Sequence, residues 1–380
     1  MKQILLSAYI VIIVLFLSAC GGGSKTSSVM TDGDTVQFRH AVNLHIVKYP
    51  NYTMVTLRNP WDTLQTLHTY LLTDKTKPIP EHLPEGTVVR VPLEKLLVYS
   101  AVHGSLLNEL GELDHIGGIC SPEYFNSLPE VQKRCRKGVI TDCGNSMSPD
   151  MERIIELQPD GIMLSPYENS GSYGQIGKLN IPLIECADYM ETSPLGRAEW
   201  MRFYGMLVGK ETLADSLFAK VEEEYQDVSR QARKAAVKPM VISDLKYGST
   251  WYISGGNSTT GQLYADAGAT YVFAYLKNSG SVPLAFETVF DKGQYADYWF
   301  IKYNQKTEKT YRELEQEFAP YARFKAFRER RIYGCNSNYV PFYEESPFHP
   351  ELLLKDMVKI LHPDLLEGYE PKYFTKLAAD

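Results

Sequence analysis

The sequence lacks most of the patterns that mark enzymes and nucleic-acid binders. It has no G-x-S-x-G nucleophile turn, no H-E-x-x-H zinc motif, no Walker A loop and no G-x-G-x-x-G fingerprint. Gly255-Gly256-Asn257-Ser258 lacks the strand–helix spacing of a phosphate cradle and reads as plain loop. The eight histidines are scattered, with no histidine-rich loop of the kind that holds a bare zinc or manganese ion. No basic run stands out against a net charge of −7, so nucleic acid is not an expected partner. No catalytic constellation is evident, and neither an enzyme nor a resident cofactor is expected.

Long apolar runs are also scarce. The longest, Ile4 to Leu17, is about 14 residues, short of the roughly 20 that span a membrane and the right size for the core of a secretory signal. It ends in Leu17-Ser18-Ala19-Cys20, small residues before a cysteine, which reads as a bacterial lipobox. Cleavage before Cys20 and lipidation of its thiol are expected, followed by a Gly/Ser/Thr-rich flexible tether over 20–35. No acidic residue follows Cys20 directly, so the periplasmic side of the inner membrane is the expected location. Export leaves five cysteines, Cys120, Cys135, Cys143, Cys186 and Cys335, in an oxidising compartment. Their spacing fits no zinc pattern. One disulfide within the first three, or buried free thiols, are both open.

What the sequence has is one long amphipathic segment. From Lys210 to Ala236 apolar residues recur at Leu213, Leu217, Phe218, Val221, Tyr225, Val228 and Ala232, the spacing of one helix face. Acidic residues open it and Arg230, Arg233 and Lys234 close it, which suits the helix dipole. Such a helix spans roughly 39 Å at about 1.5 Å per residue. Strand and helix signals alternate on both sides of it, the pattern of parallel sheets covered on both faces. The expected fold is therefore α/β: two lobes with central parallel-type sheets flanked by helices, joined by one long helix. Short strand signals between 36 and 93 add an N-terminal β-rich extension. The expected domains are 1–19 signal, 20–35 tether, 36–208 first lobe with its extension, 209–237 linker helix and 238–380 second lobe.

Ligands of such proteins gather outside the carboxyl ends of the strands, where loops of the two lobes face each other. Tyr99, His103, Asn145 and Ser146 are expected there from the first lobe, and Tyr247, Trp251 and Tyr252 from the second. Trp251 and Tyr252 would stack on a flat ligand face. Lys246 is the only cation expected nearby, which favours a large, weakly charged ligand.

Two segments carry a family resemblance. Pro149-Asp150-Met151-Glu152-Arg153-Ile154-Ile155-Glu156-Leu157-Gln158-Pro159-Asp160-Gly161-Ile162 resembles the helix-then-strand motif of the iron-complex and cobalamin periplasmic binding proteins of ABC importers. Pro283-Leu284-Ala285-Phe286-Glu287-Thr288-Val289-Phe290 stands where that family has its second glutamate segment, with Ala285-Phe286 in place of the usual serine and variable residue. The tail from Ser346 to Pro363 resembles members from Bacteroidetes-type bacteria. The resemblance covers about 86–365 and implies that Glu152 and Glu287 dock onto arginines of a membrane permease, which works with an ATPase subunit. It implies a lipid-anchored monomer that binds a metal chelate, namely a ferric siderophore, haem or a cobalamin-like corrinoid. An exported α/β enzyme or a scaffold lipoprotein is the alternative.

Overall fold

The computed structural model describes residues 33–168 and 173–379. Cys20 and the lipobox lie outside these residues. Among the described residues no helix is long and apolar enough to cross a membrane. From Asp34 onward the chain forms one compact unit.

The extension is a five-stranded sheet in sequence order: β1 (Asp34–Val36), β2 (Leu44–Lys48), β3 (Thr53–Arg58), β4 (Thr66–Asp74) and β5 (Thr87–Val91). Asp34 and Thr35, expected at the end of the tether, are already paired with Lys48 and Val47. Two buried carboxylates fasten the segment after β1 to the first lobe. Glu199 accepts from the backbone N–H groups of Arg39, His40 and Ala41 at 2.8–3.1 Å. Glu191 accepts from Asn43 N at 2.9 Å and from the Trp200 indole at 2.9 Å. Carboxyl oxygens that satisfy several buried donors make this a fixed joint. The extension is thus part of the lobe.

The first lobe is built on a parallel sheet of order β12-β11-β6-β7-β8. Its strands are β6 (Leu96–Val98), β7 (Ile116–Ile119), β8 (Thr141–Asp142), β11 (Gly161–Leu164) and β12 (Leu183–Glu185). Every residue of β6 and β11 is buried, as both-face coverage requires. The short strand β8 follows Gly138, which turns the chain at a positive φ of 69°. Helices α1 (Ala101–Glu109), α2 (Pro129–Arg136) and α3 (Met151–Leu157) cover it, and a small hairpin of β9 (Gly144–Asn145) and β10 (Ser148–Pro149) leads into α3. After β12 come two helices that meet at Trp200, α4 (Pro194–Glu199) and α5 (Met201–Leu207), where Trp200 N donates to Arg197 O in a tightened turn.

The linker helix α6 runs Glu211–Arg233, burying Phe218, Val221, Tyr225, Val228 and Ala232 as the periodicity predicts; Ala214 is buried beside them, while Leu217 is half-buried and Leu213 stays 41% exposed. Beyond it the second sheet has order β16-β13-β18-β19-β20, parallel except for β20. Its strands are β13 (Met240–Ser243), β16 (Thr270–Tyr271), β18 (Tyr298–Tyr303), β19 (Ile332–Asn336) and β20 (Thr375–Lys376). The stretch after β13, expected as a cleft loop, is instead sheet. Here β14 (Lys246–Tyr247), β15 (Thr250–Ser254) and β17 (Ser281–Ala285) form a separate antiparallel layer. Helices α7 (Thr259–Asp266), α8 (Phe286–Gly293), α9 (Tyr311–Glu317) and α10 (Lys325–Arg328) belong to this lobe, as do α11 (Phe342–Glu345) and α12 (Pro350–Leu361).

Candidate ligand-binding site

Strand ends create the first surface. The turns after β6, β8 and β11 enclose a pocket of about 350 Å³ on the first lobe, with Tyr99, Ser146, Met147, Ser165 and Tyr167 in its wall. Tyr99 lines it with its ring; its hydroxyl is buried beside Cys120, and burial pushes its pKa up. Ser146 is held by Ser121, whose hydroxyl donates to Ser146 Oγ at 3.2 Å and accepts from Ser146 N at 3.0 Å. Asn145 is exposed and outside the wall: its Oδ1 accepts from Met147 N at 2.8 Å and closes the turn that presents Met147.

A second cavity, of about 300 Å³, lies where the lobes meet. Val102, Pro194 and Arg197 face it from one lobe; Thr259, Thr260, Lys302 and Tyr343 face it from the other. Each lobe therefore contributes one cation. Arg197 is held by its Nε, which donates to Asp188 Oδ2 at 3.0 Å, and its terminal nitrogens have no partner among the described residues. Lys302 Nζ stands 2.7 Å from Asp244 Oδ1; burial alone would lower its pKa, but the Asp244 charge raises it and keeps the ammonium protonated. Asp244 sits at the carboxyl end of β13 with φ of 63°, a conformation aspartate tolerates better than most residues.

His103 does not reach the cleft. It is 3% exposed, and its Nε2 donates to Asp188 Oδ1 at 2.9 Å, the same oxygen that accepts from the Tyr204 hydroxyl at 2.8 Å. The reason is helix geometry: His103 falls on the face of α1 that packs inward on Tyr204 and Phe348. Its part is to position Asp188, and through it Arg197. Trp251 is corrected in the same way. Strand β15 alternates, so Trp251 points in at 0% exposure and Tyr252 points out at 51%. The Trp251 indole donates to Ser243 O at 3.1 Å and stacks 5.7 Å from Trp299. Tyr247 is 82% exposed. Lys246 is not the only cation in reach; it donates to Gly248 O at 2.6 Å and covers the Phe318 ring.

Glu152 and Glu287 are exposed in the first turns of α3 and α8, and neither carboxylate has a salt-bridge or hydrogen-bond partner among the described residues. Asp150 caps α3 by accepting from the N–H groups of Glu152 and Arg153, both at 3.1 Å. Asp160, from the same motif, accepts from Glu94 N and Lys95 N at 3.0 and 2.7 Å and pairs with Lys75 of the extension. The five described cysteines are free thiols, four of them buried. No group of three or more His, Cys, Asp or Glu side chains among the described residues is placed to hold a metal ion.

Two histidines make stability fall on the alkaline side. Burial alone would lower the His103 pKa, but the neighbouring Cys186 and the Asp188 carboxylate, which accepts its hydrogen bond, raise it to about 10. Burial opposes His349 as well, yet its hydrogen bonds to Glu109, across the lobes, and to Glu351 raise it to about 10. Both folded values lie above the unfolded one, so their stabilisation is complete below pH 6.5 and is lost as pH rises toward 10. The slope is at most about 1.4 kcal/mol per pH unit per group. Asp188, held down at about 2 against its burial by His103 and Arg197, contributes above its ordinary value and loses that contribution as pH falls toward 2. Thermal unfolding between pH 7 and 10 checks this: the midpoint falls steadily in the wild type and clearly less in His349→Gln.

Two α/β lobes joined by a helix, with a ligand-sized gap at the carboxyl ends of their strands, define a two-lobed binding protein. A family model for periplasmic binding proteins matches residues 101–339, and the chain belongs to that family. In sequence it is 26% identical over 321 residues to an uncharacterized lipoprotein of Methanocaldococcus jannaschii, covering 81% of this chain and 75% of that protein. It is 27% identical over 160 residues to the petrobactin-binding protein YclQ of Bacillus subtilis, covering 41% and 48%. In structure it is similar to a periplasmic haem-binding protein of Pseudomonas aeruginosa, with a TM-score of 0.58 at 13% identity over 76% of this chain and 99% of that one. That likeness shows the fold.

Proposed function

We propose that the protein captures an anionic metal chelate between its lobes and hands it to the permease and ATPase of an ABC importer, making and breaking no bond. The observation that carries this is the pair Arg197 and Lys302, one cation from each lobe on one cavity. A ligand that bridges them holds the lobes together by charge-assisted hydrogen bonds, which are about twice as strong as neutral ones. This shifts the expected cargo from a weakly charged, flat molecule toward a ferric siderophore or haem, both anionic, ahead of a cobalamin-like corrinoid. The names of the petrobactin-binding and haem-binding relatives support the same class. Tyr99, Ser146, Tyr247 and Tyr252 would face the rest of the ligand. Glu152 and Glu287 would dock on the permease, with Cys20 as the lipid anchor on the outer face of a membrane. The lobe boundaries at 36–208 and 238–380, with 209–237 between, follow from the same reading.

Titrating the soluble protein with a ferric tris-catecholate, a neutral ferric trihydroxamate, haem and cobalamin, with tryptophan fluorescence as the signal, tests the class. An anionic chelate should saturate near one equivalent. Preference for the neutral trihydroxamate or cobalamin would contradict the charge argument.

A further inference from the structure

At about 300 Å³ the interlobe cavity stands at the lower end of ligand pockets, which run from about 300 to 1,000 Å³. A closed ferric chelate, with three bidentate arms around one metal, is larger than the smallest of these. The cavity therefore takes one arm of the cargo rather than its metal centre. Val102, Leu263 and Phe342 give it an apolar wall for the stem of such an arm.

The polar groups decide what that arm ends in. Arg197 gives only its Nε to Asp188 and keeps both terminal nitrogens, a planar edge that matches a carboxylate with two parallel hydrogen bonds. Lys302 gives Asp244 one of its three donors. Neither cation is closed off, since their side chains are 25% and 24% exposed. Asp188 also accepts from the protonated His103 at 2.9 Å. Three cations thus stand against two carboxylates, and the one positive charge left over fits a single carboxylate.

Further donors come from the stretch that reads as plain loop. Gly255-Gly256-Asn257-Ser258 joins β15 directly to α7 and lays the first turn of α7 on the cavity, so the strand–helix spacing missed in the sequence is present in the fold. Glycine is required where this turn closes. A Cβ on Gly256 would stand 2.3 Å from Ala274 O, and one on Gly261 would stand 2.6 Å from Gly255 O. Ser258 caps α7 by accepting from Gly261 N at 3.1 Å. The N–H groups of Thr259 and Thr260 are left without an acceptor in the helix. Neither threonine hydroxyl has a partner among the described residues.

We propose that the arm entering this cavity ends in a carboxylate, held by Arg197 from one lobe and by Lys302, Thr259 and Thr260 from the other. The inference rests on the chelate reading above and names the part of the chelate that spans the lobes. Its test compares two probes: a linear ferric tris-catecholate built on three serines with a free terminal carboxylate, and the methyl ester of the same molecule. Wild-type protein should bind the free acid at least about 10-fold more tightly than the ester. Thr259→Val combined with Thr260→Val should bring that ratio below about 3-fold, and Lys302→Gln should do the same. Because the ratio is what is read, a general loss of affinity does not imitate the effect. If the valine pair fails to fold, Lys302→Gln still carries the test. Equal affinity for acid and ester in the wild type, or a ratio that survives Lys302→Gln, overturns the carboxylate arm and leaves the interlobe chelate reading standing. Binding of neither probe overturns both.

Discussion

Lys302→Gln should bind an anionic ferric chelate about 10- to 100-fold more weakly than the wild type, because a hydrogen bond to a charged group contributes about 1.5–3 kcal/mol. Arg197→Gln has an effect of the same order. The double variant should lose more than either, since the proposed ligand spans both cations. Glutamine keeps the stem packed and can still donate to Asp244 or Asp188, so folding should survive; unchanged unfolding midpoints confirm that. Salt offers a second signature: wild-type affinity falls with ionic strength, and the double variant's affinity hardly changes. Affinity insensitive to both substitutions would mean that the cavity they line is not where cargo sits.

The second large effect concerns transport and leaves binding untouched. Glu152→Arg combined with Glu287→Arg should cut chelate uptake at least about 10-fold, because like charges juxtaposed at an interface cost several kcal/mol. Affinity and thermal stability should stay within error, since both side chains are exposed and unpaired in the free protein. Each single reversal should give a partial loss. Uptake at the wild-type level in the double variant would remove the docking role from these residues.

The broad plan was legible because it rests on periodicity. The 3.6-residue stripe of the linker helix and the alternation of strands and helices on both sides of it appear where pattern alone puts them. The site was less legible, because it depends on which way single side chains point. Reading Lys246 to Tyr252 as loop hid the period-two alternation that sends Trp251 inward and Tyr252 outward. His103 sits one turn past a strand end, yet α1 rotates it onto Asp188. Lys302 carried a usable signal, since it falls at the carboxyl end of a strand, where ligands gather. Arg197 carried none: its place opposite Lys302 follows from the way the two lobes pack. The extension's fixed joint was equally hidden, because Glu191 and Glu199 meet it about 150 residues along the chain.

The position proposed for the anionic chelate is between the lobes, against Arg197 and Lys302. Crystals grown with a ferric tris-catecholate and measured at the iron absorption edge test it most directly. A single anomalous peak in the gap, with ligand oxygens reaching both side chains, is the predicted result. A peak elsewhere on the protein, or ligand density that touches neither cation, would contradict it.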